Sequence, residues 1–157
     1  MKDVREIAPG LENAGYPLEG VATAGQPEQE HLEQLAKAGY RTVLDLRTSE
    51  EDPGFDESET ARGVGMEYVH MPLEVKPEAF TDEVFARARE LLADPERRPI
   101  FIHCASAVRV VPLLIPYLIL DEGRSPDEAA AIASEVGPQK DELMDAALRY
   151  ADERRDA

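Results

Sequence analysis

The chain has 157 residues, 43 % hydrophobic and 32 % charged, which is enough for one domain with a packed core and leaves little room for a second. Its 33 acids against 17 lysines and arginines give a net charge of −16, which disfavours nucleic acid and anionic membrane surfaces as partners, because Lys and Arg lead such contacts. The single cysteine forms no internal disulfide, MKDVREIAPG has no apolar signal core, and the apolar run VVPLLIPYLIL is too short to cross a bilayer, so a cytoplasmic protein is expected.

Residues 1–20, mixed and rich in Gly and Pro, predict an irregular lead-in. VATAGQP (21–27) reads as a short strand ending in a turn. The helix that follows takes Pro27 in its first turn, packs Leu32, Leu35 and Ala36 on one face and stops at Gly39. YRTVLDLRT (40–48) reads as a buried strand. The stretch 49–65 is acidic and turn-rich, with a short helix around 57–63. MEYVHMPL (66–73) is the next strand and EVKPEAF (74–80) a loop. Thr81 caps a helix with Val84, Phe85, Ala88, Leu91 and Leu92 on one face.

RRPIFIHC is another buried strand, and a long apolar segment follows Arg109. Ser125, Pro126 and Glu128 open a helix with a capping box, which Gly137-Pro138 ends. A last amphipathic helix covers 139–154. Alternating strands and helices predict an α/β fold, one domain over 1–157 with a core of about 20–137 and a mainly parallel sheet flanked by helices. Ligands bind beyond the carboxyl ends of such strands, where Arg47, Glu74 and Cys104 all fall.

HCASAVR (103–109) gathers several features that favour an anion. A thiolate is the reactive form of cysteine, and a helix N-terminus and a nearby guanidinium both stabilise it. The small residues Ala105, Ser106 and Ala107 let successive amides turn inward as a nest, and Arg109 can hold an oxyanion in bidentate fashion. His103 is expected to order the loop from within the sheet. The bland alternative is a buried cysteine at a strand end. His31, His70 and His103 show no ligand spacing, so neither a metal site nor a cofactor is expected.

With AGQPEQEHL (24–32) and GYRTVLDLRTSEE (39–51), this loop resembles the cysteine-dependent protein tyrosine and dual-specificity phosphatases. More narrowly it resembles a small bacterial subgroup of phosphatase-like domains, some fused to β-lactamase-like hydrolases. The resemblance implies hydrolysis of phosphate monoesters through a Cys104 thiophosphate. Arg109 and the amides of Ala105, Ser106, Ala107 and Val108 would bind the phosphoryl oxygens. It implies a carboxyl acid in the loop after YVHMPL, for which Glu74 is the first candidate and Asp82 the second. Arg47 becomes a further anion contact or the partner of Glu50 or Glu51.

Four residues separate Cys104 from Arg109 where most such phosphatases have five, Ala107 replaces the subgroup's glycine, and Val110 stands where a hydroxyl residue is usual. A loop of this length also resembles rhodanese-like sulfurtransferases, whose cysteine carries a persulfide. A catalytically silent domain that binds an anion or a phosphoprotein is the third reading. The expected ligand is thus a phosphate- or sulfur-containing anion, and the oligomeric state is left open.

Overall fold

Short apolar runs without helical spacing become the strands of one sheet: Gly15–Leu18 (β1), Val21–Ala24 (β2), Thr42–Asp45 (β3), Glu67–His70 (β4) and Ile100–His103 (β5). The structure is a computed structural model and describes residues 2–51 and 54–155. Strand order is β1-β2-β5-β3-β4, with β1 antiparallel to β2 and the other pairings parallel. The helices are Val4–Ile7 (α1), Gln29–Lys37 (α2), Glu57–Gly63 (α3), Asp82–Ala93 (α4), Val110–Pro116 (α5), Pro126–Ser134 (α6) and Asp141–Arg155 (α7).

Strand alternation divides the core into two layers. Ile100 and Ile102 of β5 pack with Phe85, Leu91, Leu113, Leu114 and Leu143, under α4, α5 and α7. Phe101 points the other way, into a layer with Val4, Leu32, Leu35 and Ala61 of α1 to α3. Each fully buried Leu, Ile or Phe contributes about 1.5–3 kcal/mol of hydrophobic stabilisation. Residues outside 20–137 join both layers, Val4 and Leu11 in one and Leu143, Ala147 and Tyr150 in the other. The α/β architecture with a mainly parallel sheet is as expected from the alternation of elements.

Several boundaries differ. The lead-in is not irregular throughout. It holds α1 and β1, and Pro17 is accommodated because β1 is an edge strand. α2 starts at Gln29, since His31 Nδ1 accepts the Glu28 N–H at 3.0 Å and closes the helix start two residues after Pro27. In the turn-rich stretch, Asp52 and Pro53 lie outside the described residues, and the helix expected around 57–63 is α3. Pro112 sits in the first turn of α5, where its missing N–H leaves no bond unmade. Pro116 ends the α-helical stretch. The chain continues as a π-helical turn over Tyr117–Asp121, with the Glu122 N–H reaching the Tyr117 carbonyl at 3.1 Å. The two prolines therefore bend the segment around the core, and its residues 110–119 stay buried. Among the described residues no helix is long and apolar enough to cross a membrane.

Candidate active site

β5 runs between β2 and β3, with His103 level with Ala24 and Asp45. The chain leaves its carboxyl end into residues 104–109 and re-enters regular structure at Val110. Contacts from distant segments shape this loop. The Gln26 N–H donates to the Ala105 carbonyl at 3.1 Å, and Asn13 Nδ2 to the Ser106 carbonyl at 3.2 Å. Ala107 adopts φ 71°, a left-handed conformation that costs an alanine about 1–2 kcal/mol. Two glycines leave room for the loop: a Cβ on Gly25 would stand 2.6 Å from the Ala105 oxygen, and one on Gly137 would stand 3.1 Å from Ala107 Cβ. Held this way, the N–H groups of residues 105–109 meet no protein acceptor among the described residues.

Cys104 is 0 % exposed and Arg109 3 %. Arg109 Nη1 donates to Glu51 Oε2 at 2.8 Å and to the Leu73 carbonyl at 2.9 Å, and Nη2 to Glu51 Oε1 at 2.7 Å. Its Nε is buried without a partner. One edge of the guanidinium is therefore engaged by protein, while the Nε edge is not. Burial pushes the Arg109 pKa down, but its hydrogen bonds to Glu51 and the charge of that carboxylate, with Cys104 adding to the effect, outweigh it and hold the group above its ordinary value.

The Arg109 hydrogen bonds pull the Glu51 carboxyl down to about 2 against the opposing effect of burial, helped by the Thr48 N–H and hydroxyl. A carboxyl depressed below its ordinary 4.5 adds stability above that pH, and the gain is lost as pH falls toward about 2. Because 32 % of the Glu51 side chain remains in solvent, the gain is on the order of 1–2 kcal/mol, less than the full shift implies. Glu51→Gln is accordingly expected to be about 1–2 kcal/mol less stable than the parent at pH 7 in urea melts, with the difference closing near pH 2. A difference that persists at low pH would contradict the ion pair as its source.

Arg47 takes a different place from either one expected of it. Its Nε and Nη2 bind Asp45 at 3.0 and 2.8 Å, and Nη2 also binds Glu57 at 3.0 Å, all three side chains being buried. The guanidinium is thus closed off from an anion in the loop, and neither Glu50 nor Glu51 is its partner. The Tyr68 hydroxyl donates to Asp45 at 2.5 Å, and His103 Nε2 hydrogen-bonds Glu57. Burial pushes the Asp45 pKa up, but Arg47, His103 and Tyr68 together leave it below its ordinary value. Phe101 stacks on the His103 ring, and its Nδ1 faces the Cys104 carbonyl at 3.4 Å, so His103 does order the loop from within the sheet. Asp45, Glu57 and His103 also bring potential metal-ligand atoms within 4.8 Å of one another. Their oxygens are already held by Arg47, Tyr68 and His103, which makes the group an internally hydrogen-bonded network.

Glu74 directly follows Leu73, whose carbonyl Arg109 holds, and its exposed carboxylate lies 3.2 Å from Lys76 Nζ. Asp82 heads α4 and pairs with Arg154 of α7 at 3.2 Å, also on the surface. Of the two candidate acids, Glu74 is the one on a segment that touches Arg109. Sequence reasoning missed Glu51 as the Arg109 clamp and Glu57 as the partner of Arg47 and His103. It also missed Asn13 and Gly137 as supports of the loop. The burial of Glu57 at the start of a short helix leaves no pattern in the sequence. Glu51, close behind the LDLR strand, was visible but assigned to the wrong arginine.

Residues 19–148 match the profile of a family described as DSP-PTPase phosphatase fused to NAD+ kinase. The beta-lactamase hydrolase-like proteins of two Xylella fastidiosa strains, Temecula1 and 9a5c, are each 28 % identical over 123 residues, covering 76 % of this chain and 28 % of theirs. The chain thus spans under a third of these relatives. Among solved structures, Tk-PTP in its active form superposes with a TM-score of 0.71 at 21 % identity, over 90 % of this chain and 97 % of that one. The core catalytic domain of the PP-IP phosphatase SIW14 from S. cerevisiae gives 0.75 at 17 %, over 93 % and 90 %. PTPMT1 in complex with PI(5)P gives 0.76 at 14 %, over 90 % and 96 %. At these identities the likeness is one of fold.

Proposed function

The chain belongs to the family described as DSP-PTPase phosphatase fused to NAD+ kinase, and on that premise we propose that it hydrolyses phosphate monoesters with Cys104 as nucleophile. One observation carries the reading. A buried Arg109 Nε without a partner stands beside Cys104 and a loop of unengaged amides. An orphaned buried donor costs about 1–3 kcal/mol. A cysteine that merely filled a strand end would need no such arrangement, whereas a phosphoryl dianion would satisfy the arginine and the amides together.

In the proposed reaction the Cys104 thiolate attacks phosphorus and the bond to the ester oxygen breaks, while Arg109 and the amides of residues 105–109 hold the equatorial oxygens. The leaving oxygen takes a proton from Glu74, the candidate acid next to the arginine-held Leu73 carbonyl. Water then attacks the thiophosphate and gives its proton to Glu74. The S–P bond breaks, and thiolate and inorganic phosphate result. Asp82 is set aside as the acid because its carboxylate is turned to Arg154. The family match favours this chemistry over sulfur transfer or silent binding.

The test is acid quenching of the protein during turnover of 4-nitrophenyl phosphate, followed by peptide mapping. Phosphate on the Cys104 peptide is expected. Nitrophenol release without that adduct would overturn the covalent route. Thiocyanate from thiosulfate and cyanide, with no phosphate release, would overturn the phosphatase reading.

A further inference from the structure

The surroundings of the loop bear on what the rest of the ester is. The Glu51 carboxylate that clamps Arg109 is also part of the wall of a cavity of about 210 Å³. Hydroxyls of Thr48, Ser49 and Ser58, the rings of Phe55 and Tyr68, and the carboxylate-bearing Asp56 are further parts of that wall. The volume is below the ~300 Å³ at which ligand pockets usually begin, and no residue of 104–109 lines it, so the cavity meets the loop through Glu51 alone. Arg47 is the one lysine or arginine in the lining, and Asp45 and Glu57 already hold it.

The exposed charges on the segments next to the loop are mainly negative. Glu50 and Asp56 are exposed beside the cavity. On the next segment Glu74 is exposed, and Lys76, the nearest lysine in the chain, is paired with it at 3.2 Å. Exposed Glu12 precedes Asn13, which supports Ser106 of the loop. The loop contributes the Arg109 charge and none from the four residues before it. A phosphoryl group therefore has its own cradle. A second negative charge on the same molecule would face carboxylates, with no uncommitted cation on these segments among the described residues. The net charge of −16 repels it further at long range.

We infer that the site selects phosphate monoesters whose organic part carries no further negative charge, and prefers one that is cationic. The inference rests on the phosphatase reading above and goes beyond it by naming the substrate class. The discrimination is electrostatic, so it fades with salt: the screening length is ~10 Å at 0.1 M ionic strength and ~3 Å at 1 M.

The test uses three aryl phosphates of similar shape: 4-(aminomethyl)phenyl, 4-methylphenyl and 4-(carboxymethyl)phenyl phosphate. A methylene separates each charge from the ring, which keeps the leaving groups comparable. Phosphate release at low ionic strength is expected to give kcat/KM in the order aminomethyl, methyl, carboxymethyl, with about tenfold or more between the extremes. At 1 M salt the three values should converge. A double variant, Glu50→Gln with Asp56→Asn, should narrow the spread between the charged esters. The asparagine still caps α3, as Asp56 now does by accepting the Glu59 N–H at 3.1 Å. A carboxymethyl ester cleaved as fast as the methyl one, or a spread that salt and the double variant leave intact, would overturn the inference while the phosphatase reading stands. No hydrolysis of any of the three would overturn the phosphatase reading instead.

Discussion

Cys104→Ser is expected to lower the turnover of an aryl phosphate by a factor on the order of 10⁴ or more, and to leave the fold in place. Serine is close in size to cysteine, and its hydroxyl would enter a site rich in donors: Arg109 and the amides of residues 105–109. It therefore does not become an unsatisfied buried group. The chemistry is lost because a serine hydroxyl is a far weaker nucleophile than a thiol. Initial rates with 4-nitrophenyl phosphate, measured with a thermal melt of the same preparation, check both halves. Retention of more than about a hundredth of the parent rate in a well-folded variant would contradict the covalent route, since loss of a nucleophile ordinarily costs far more.

Arg109→Lys is expected to reduce kcat/KM by about 10³. The arginine grips both oxygens of Glu51, holds the Leu73 carbonyl, and has a buried Nε without a protein partner. A lysine ammonium is a point donor at the end of a flexible stem and cannot meet that fork geometry. Anion binding should fail with it. Inorganic phosphate binds the native state of the parent and should raise its melting temperature, because a ligand of the folded form stabilises by mass action. The same phosphate series should leave Arg109→Lys unshifted. An equal shift in both proteins would mean that the anion sits elsewhere.

The parts of the fold that sequence could reveal were those with a local physical cause. The capping box at Ser125 and Glu128, the apolar stripe of α4 and the buried run at β5 depend on neighbouring residues, and the structure contains all of them. The parallel sheet followed from alternation of such pieces. The features that were missed depend on contacts across the chain. β1 is four residues long, contains Pro17 and exists because β2 offers it a partner. Which acid meets which arginine is a question of three-dimensional reach: Glu51 and Glu57 lie six positions apart, yet one clamps Arg109 and the other Arg47. The loop motif itself was legible in HCASAVR, whereas the left-handed φ of 71° at Ala107, which stands in the place of a glycine, is read only from the structure. The supports of that loop were legible only as turn and stop signals.

Those supports bear on how far HCASAVR is a motif that could be moved. Asn13, Gly25, Gln26 and Gly137 belong to three separate stretches, and each meets the loop at a different residue or from a different side. Copied alone into another strand-to-helix turn, the seven residues would take the cysteine and the arginine and leave behind what bends Ala107 and aims its amides. The portable unit is the set of four stretches around the carboxyl ends of β2 and β5. A protein builder would have to transplant them together.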